Sequence, residues 1–487
     1  MSADVIKGLE PSVLWERFYE ITQVPRPSKK EEKILKYLKD WGDKNNIKYK
    51  QDEAGSMVFF VPATKGFENA PTVVLQGHVD MVCEKNNSTV HDFENDPLKI
   101  IRTDGWLKAD GTTLGADNGI GVAAAMAIAE DKSFNHGPLE ILCTIDEETG
   151  LTGANSLEPG FITGKTLLNL DSEEDGAFYV GCAGGIDTVA TLDLETEPAP
   201  AEMLSYKLQV TGLLGGHSGS EINTGRGNAI KIIARALAGL QKFNYSIVKI
   251  SGGNLRNAIP REAEAVILLT PSDEKNAVIF IDKLSKDIAG EYSITDSGVK
   301  IELKKAETKH PKVFTKEFGK KVVNVLLGLP HGVLSMSQDI PDLVETSTNL
   351  AVVSMDETHL KIATSQRSSI ESSKEYVAQS VKAVLDLAGA SVKTGDGYPG
   401  WKPDMNSKVL KITKDVYNEL FGSEPEIKAI HAGLECGILG DKNPGMDMIS
   451  FGPTITGAHS PDEKVEIKTV QKFYDLLKKI LERYAKA

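Results

Sequence analysis

The chain has 487 residues, 40% of them hydrophobic and 25% charged, and 69 acidic against 55 basic side chains leave a formal net charge of −14. An acidic globular composition of this kind disfavours phosphate backbones and anionic lipid, so nucleic acid and membrane surfaces are not expected partners. At about 100–200 residues per domain the length predicts more than one domain, each large enough to bury its own core.

The chain opens on two amphipathic helices. Val13, Leu14, Phe18 and Ile21 recur at three- and four-residue spacing, as do Ile34, Leu35, Leu38 and Trp41, with Pro25 and Pro27 between the two sets. A hairpin-like stretch from Ile47 to Val61 follows, and then a unit that recurs: a short apolar run that stops abruptly at residues able to bind a metal or move a proton. Val73-Val74-Leu75 runs into Gly77-His78-Val79-Asp80, Leu139 to Ile145 into Asp146-Glu147-Glu148, and Leu167 to Leu170 into Asp171. Gly115-Ala116-Asp117-Asn118-Gly119 opens a small-residue helix over Val122 to Glu130, and late in the chain Met448 to Phe451 leads through a loop to His459. Short buried strands alternating with helices predict an α/β domain whose central sheet is covered on both faces. Ligands in such sheets gather at the carboxyl ends of the strands, where these polar residues lie.

From residue 187 to 394 the texture changes to strands (Ser205 to Val210, Leu350 to Ser354, His359 to Thr364) alternating with amphipathic helices (Asn228 to Leu240, Ala277 to Ile288, Glu375 to Leu387). After Gly395-Asp396-Gly397-Tyr398-Pro399-Gly400 the first texture returns and closes with a helix carrying Val470, Phe473, Leu476, Leu477, Ile480 and Leu481. The expected organisation is a discontinuous catalytic domain, 1–186 with 395–487, into which an α+β lid domain, 187–394, is inserted. Cys83, Cys143, Cys182 and Cys436 form no CxxC pair and are too few for a disulfide framework. With no signal-peptide pattern at the start and no run of about 18 apolar residues, a soluble cytoplasmic protein is expected.

Taken singly, the polar strand ends have ordinary readings. Asp117 suits a helix N-cap, Asp146-Glu147-Glu148 a solvated acidic turn, and His78 with Asp80 a surface pair. Taken together on one sheet, they bring His78, Asp117, Glu147, Glu148 and Asp171 into one crevice. Two carboxylates about 4 Å apart repel by roughly 4 kcal/mol at an effective dielectric near 20, so the group requires cations. Carboxylates and imidazoles without thiolate suit Zn²⁺, Mn²⁺ or Co²⁺, and a metal pair sharing a carboxylate makes bound water acidic enough to attack at neutral pH. If Glu147-Glu148 is strand-like, the adjacent side chains point in opposite directions, one to metal and one to the water.

The set Gly77-His78-Val79-Asp80, Gly115-Ala116-Asp117-Asn118-Gly119, Asp146-Glu147-Glu148-Thr149-Gly150, Asn169-Leu170-Asp171 and Gly457-Ala458-His459-Ser460 resembles the di-zinc exopeptidase family that includes glutamate carboxypeptidase, aminoacylase and the carnosinases, and within it the Xaa-His dipeptidase branch. The resemblance implies two divalent ions per subunit, most simply zinc with cobalt or manganese as alternatives. Asp117 would bridge them, with His78 and Asp171 completing one site and Glu148 and His459 the other. It makes Glu147 the general base that activates the metal-bridging water, Asp80 the carboxylate that orients His78, and the Asp117-Asn118 peptide cis. It further implies that His217, in Gly215-Gly216-His217-Ser218-Gly219, polarises the scissile carbonyl, that Asn257 and Arg367 hold the substrate, and that the protein is a homodimer. The implied activity is hydrolysis of small peptides, dipeptides with C-terminal histidine such as β-alanyl-histidine. An N-acyl amino acid deacylase and an aminotripeptidase share the metal set and remain as alternatives, as does a metal-free binding protein, although no ligand position has been lost. His431 and Glu435 are open between pocket and structural roles, as is His331, and His91, His136, His310 and His359 are expected at the surface.

Overall fold

The Val73–His78 strand is buried at all of its positions, as are Leu139–Thr144 and Thr166–Asn169, so their near-continuous apolar runs mark the interior of a sheet covered on both sides. In the computed structural model, which describes residues 3–486, these strands lie in an eight-stranded mixed sheet. Its order is Lys48–Gln51, Met57–Val61, Leu139–Thr144, Val73–His78, Thr166–Asn169, Asp447–Ser450, Ala177–Cys182, Glu426–Ile430. Val73–His78 runs parallel to both of its neighbours, with His78 opposite Thr144 and Gln76 opposite Asn169, so the strands end nearly flush. Asp447–Ser450 continues the parallel set, while the Lys48–Gln51 and Met57–Val61 hairpin is antiparallel. The central α/β sheet read from the sequence is therefore present.

Helices cover the sheet for the expected reason. Leu14, Trp15, Phe18 and Ile21 form the buried stripe of Ser12–Thr22, and Ile34, Leu35, Leu38 and Trp41 that of Glu32–Lys44. The Ala116–Glu130 helix is built of small apolar residues all round and is buried almost throughout, the pattern of an interior helix. Ile467–Ala485 turns Val470, Phe473, Leu477 and Ile480 inward.

The chain divides into two compact units. One runs up to Gly181 and takes in Pro403–Ala429 and the chain from Leu434 onward; the other is Cys182–Lys402 with Ile430–Gly433. The second unit begins and ends a few residues outside 187–394 because backbone pairing ties its ends together: Cys182 bridges Trp401, and Gly185 bridges Tyr398. Its core is a nine-stranded antiparallel sheet running from Lys300–Ala306 at one edge to Ser391–Thr394 at the other. The Ala229–Leu240 helix packs on it, begun by Asn228, whose side chain accepts from the amides of Ile230 and Lys231.

Two local expectations differ. Glu147–Gly150 is a helical turn, not a strand-like segment. Asp146 enters the left-handed region at φ 46°, and its carboxylate takes the hydroxyls of Thr149 and Thr152. His136 is buried at 4% exposure, its Nδ1 2.8 Å from the carbonyl of Gly137. The helices Lys316–Gly328 and Lys408–Phe421 are capped in the usual way by Thr315 and Ser407.

Candidate metal centre

The polar residues at the strand ends of the first unit converge. His78 closes its strand with the ring 1% exposed, and its Nε2 lies 3.0 Å from Asp117 Oδ1 and 3.4 Å from Asp171 Oδ1. Asp117 reaches this point because it and Asn118 depart from helical geometry at the start of the Ala116–Glu130 helix; the Asp117-Asn118 peptide is cis. Asn118 is anchored by Nδ2 donating to the carbonyl of Leu170 at 2.7 Å. A Cβ at Gly77 would collide with the Asn118 side chain, so only glycine fits beside this turn.

The other oxygen of Asp117 faces the other imidazole. His459 Nε2 is 3.1 Å from Asp117 Oδ2 and 3.1 Å from Glu148 Oε2. His78, Asp117 and Asp171 thus offer ligand atoms around one point, and Asp117, Glu148 and His459 around a second, with Asp117 common to both. Glu147 stands beside the pair, its carboxylate grouped with His78 of the first point and Glu148 of the second. Behind the pair, Asp80 accepts the amides of Glu147 at 3.1 Å and Glu148 at 3.2 Å and the hydroxyl of Ser28 at 2.8 Å.

The electrostatics expose what this arrangement needs. Burial and the nearby Asp171, Glu435 and Glu148 push the Glu147 carboxyl well above its ordinary range against the pull of His78. Burial raises Asp171 to about 8, with Asp117 adding to it. His459 is pulled up to about 11, chiefly by hydrogen bonding to Asp117 and Glu148. Burial opposes the charge on His78, yet Asp171 and Asp117 outweigh it and hold the ring well above its ordinary value. Four carboxylates facing two imidazoles are a surplus of negative charge, and buried Glu148 Oε1 and Asp171 Oδ1 have no hydrogen-bond partner. Oxygen and imidazole donors with unsatisfied buried oxygens fit divalent cations.

Two further charged side chains near these ligands lie outside every motif in the sequence. Arg26 and Glu463 are 1% and 2% exposed and hydrogen-bond to the backbone of the ligand loops. Nothing local marks either of them. Glu435 is buried beside the strand ends, its Oε2 accepting from Gln76 Nε2 at 2.6 Å and Thr144 Oγ1 at 2.7 Å, and burial raises it to about 7.

The second unit carries its own polar cluster. His217 pairs across a short ladder with Ala258, next to Asn257, whose carbonyl accepts the amide of Ser218 at 2.8 Å. The amides of Gly219 and Ser220 donate to His217 Nδ1 at 3.2 and 3.1 Å, which leaves Nε2 as the protonated, donating nitrogen. Burial and the charge of Arg367 lower its pKa, so the ring stays neutral. Arg367 donates to the Tyr398 hydroxyl at 2.8 Å, and His431 Nε2 lies 2.7 Å from Ser347 Oγ. His331 Nδ1 lies 3.2 Å from Asn228 Nδ2.

Comparison with known proteins identifies the family. Residues 74–483 match the family described as Peptidase family M20/M25/M40. The chain is 41% identical over 477 residues to the cytosol non-specific dipeptidase of Escherichia coli strain K12, covering 98% of each. It superposes on the crystal structure of aminoacylhistidine dipeptidase from Vibrio alginolyticus with a TM-score of 0.92 and 42% identity, covering 98% of each chain. A tripeptidase from Staphylococcus aureus shares the fold alone, at a TM-score of 0.58 and 17% identity. With its sheet, its converging strand ends and near-complete coverage by these relatives, the chain belongs to peptidase family M20/M25/M40 and is a hydrolase acting on peptide bonds.

Proposed function

We propose that the protein is a metal-dependent dipeptidase acting on Xaa-His dipeptides such as β-alanyl-histidine, with two divalent ions, zinc by preference, at the first unit's strand ends. The observation that carries this reading is the split of Asp117, one carboxylate oxygen 3.0 Å from His78 and the other 3.1 Å from His459. Dipeptide substrates are supported by the relatives named above, which are a non-specific dipeptidase and an aminoacylhistidine dipeptidase.

His78, Asp117 and Asp171 would hold one ion and Asp117, Glu148 and His459 the other. Such ions supply Lewis-acid polarisation of the peptide carbonyl and lower the pKa of water. Glu147 takes the proton of the attacking water and returns it to the leaving amine, a role suited to a carboxyl whose burial and acidic neighbours raise its proton affinity. Asp80 holds both Glu147 and Glu148 by their amides and stands behind His78. His217 offers its Nε2 proton to the developing oxyanion, and the Arg367 fork, with Asn257, binds the free carboxylate.

The protein is further inferred to act in the cytoplasm as a homodimer joined through the second unit. The cytosolic relative supports the first, and the exposed apolar side chains Leu214 and Leu255 of that unit support the second. Light scattering at micromolar concentration checks the dimer. The activity is tested by comparing kcat/KM for β-alanyl-histidine, an N-acetyl amino acid and a matched tripeptide, with the metal content of the same preparation. Faster turnover of the acetyl amino acid or the tripeptide would replace this reading with a deacylase or a tripeptidase.

A further inference from the structure

We propose that Arg26 and Glu463 are positioning residues that lock together the three backbone segments carrying His78, Asp117 and His459, and thereby set the affinity of the centre for its ions. The inference rests on the metal-centre reading above.

The Glu463 carboxylate collects the amides that open the Ala116–Glu130 helix. Its Oε2 accepts from Leu114 at 2.8 Å and Gly115 at 2.9 Å, and its Oε1 from Ala116 at 2.7 Å and Asp117 at 3.3 Å. The N-cap position, Gly115, supplies no side-chain cap, so a residue far along the chain satisfies these donors. A carboxylate is the appropriate group there, because it also faces the positive end of the helix dipole. Glu463 follows His459 on the same tight turn, in which the Glu463 amide donates to the Ser460 carbonyl at 3.0 Å and Ser460 Oγ donates to the Gly457 carbonyl at 2.7 Å. The carboxylate therefore ties the segment carrying His459 to the segment carrying Asp117.

Arg26 makes the second tie. Its Nη1 donates to the carbonyls of Val79 at 2.9 Å and Asp80 at 2.7 Å, and its Nη2 to that of Gly115. Gly115 is held from both sides, by Glu463 at its amide and by Arg26 at its carbonyl. Its φ of +66° and the guanidinium packed where a Cβ would stand leave room for glycine alone. Without these ties the like-charged ligands would be expected to spread apart before ions arrive. Holding them in place removes an ordering cost that the ions would otherwise bear.

The test uses the full-length protein, stripped of metal and titrated with Zn²⁺ against a chromophoric chelator. Glu463→Gln keeps the size of the side chain but presents an amide N–H₂ to backbone donors. The expected result is a loss of at least about tenfold in the affinity of one ion, the range found for residues that orient ligands, with an altered visible spectrum of the Co²⁺ form. Glu140→Gln is the control, since Glu140 is an equally buried carboxylate that clamps the amides of Thr163 and Gly164 at 2.8 and 3.1 Å, at the opposite end of its strand. It should lower the Tm and leave both ion affinities unchanged. Wild-type affinities in Glu463→Gln, or an equal loss in Glu140→Gln, overturn the proposal. Should Glu463→Gln not fold, hydrogen exchange in the wild-type protein decides: the amides of residues 114–117 stay protected in the metal-free form if the ties exist, and free exchange there refutes them. A wild-type protein that binds no ion removes the metal centre itself, an outcome distinct from either.

Discussion

Asp80 Oδ1 stands 3.4 Å behind His78 Nδ1, with both side chains buried, while the opposite nitrogen of the same ring faces Asp117 and Asp171. The ring is held between a carboxylate behind and carboxylates in front. His78 and the Ser28 hydroxyl draw Asp80 down to about 2 against the effect of burial, so it stays ionised across the neutral range.

Replacing Asp80 with Asn keeps the volume and removes the charge behind His78. Asp80→Asn is expected to lower kcat/KM by about 10- to 100-fold, with weaker metal retention on dialysis. Steady-state kinetics together with metal analysis checks both effects.

Glu147→Ala removes the proton carrier without removing any of the ligands grouped around Asp117. The expected outcome is a fall in kcat of about 10²- to 10⁴-fold with metal content near that of the wild type. Loss of metal in step with activity would instead make Glu147 a ligand.

Removing the ions should leave a protein whose His459 is protonated, because Asp117 and Glu148 raise it to about 11. A histidine with a folded-state pKa above its unfolded value stabilises fully below about 6.5 and loses that contribution as pH rises towards the folded value. The chelated protein is therefore expected to lose stability on the alkaline side, while ion binding tightens with pH as the competing proton leaves. Thermal melts of the chelated and zinc-loaded forms across neutral and alkaline pH measure both trends, and calorimetry in buffers of different ionisation enthalpy detects the released protons.

His431 has the opposite sign. Burial and the charge of Arg367 press its pKa down to about 3, whereas in the unfolded chain it titrates near about 6.5. Its neutral ring favours folding above about pH 6.5, and that advantage is lost as pH falls from there towards the folded value, at no more than roughly 1.4 kcal/mol per pH unit. His431→Gln should flatten the acid limb of the stability profile measured by urea unfolding from neutral pH downward.

The strand ends are legible in the amino-acid sequence. Val73 to Leu75, Leu139 to Ile145 and Leu167 to Leu170 are buried and largely apolar, and in such a sheet the polar residues that follow each run lie at its carboxyl edge. His78, Glu148 and Asp171 are accessible by this route, while Asp117, at a helix start, and His459, beyond a loop, are reached through the motifs that carry the family resemblance; the structure brings all five within reach of one another. The conformation at Glu147 and Glu148 is not. Its helical turn, where periodicity suggests strand, is imposed by hydroxyls and amides that reach Asp146 and Asp80.

What the sequence alone determined was which side chains end each buried strand, since hydrophobic periodicity is a local property and fixes direction within a few residues. The tertiary structure decided how those ends are held: Arg26 bonds to Val79, Asp80 and Gly115, Glu463 to four amides around Asp117, and Glu435 to Gln76 and Thr144. These are charged side chains meeting backbone or polar groups far along the chain. No local pattern encodes such a partner, because the cost of burying the charge is met only when folding brings the distant donors to it.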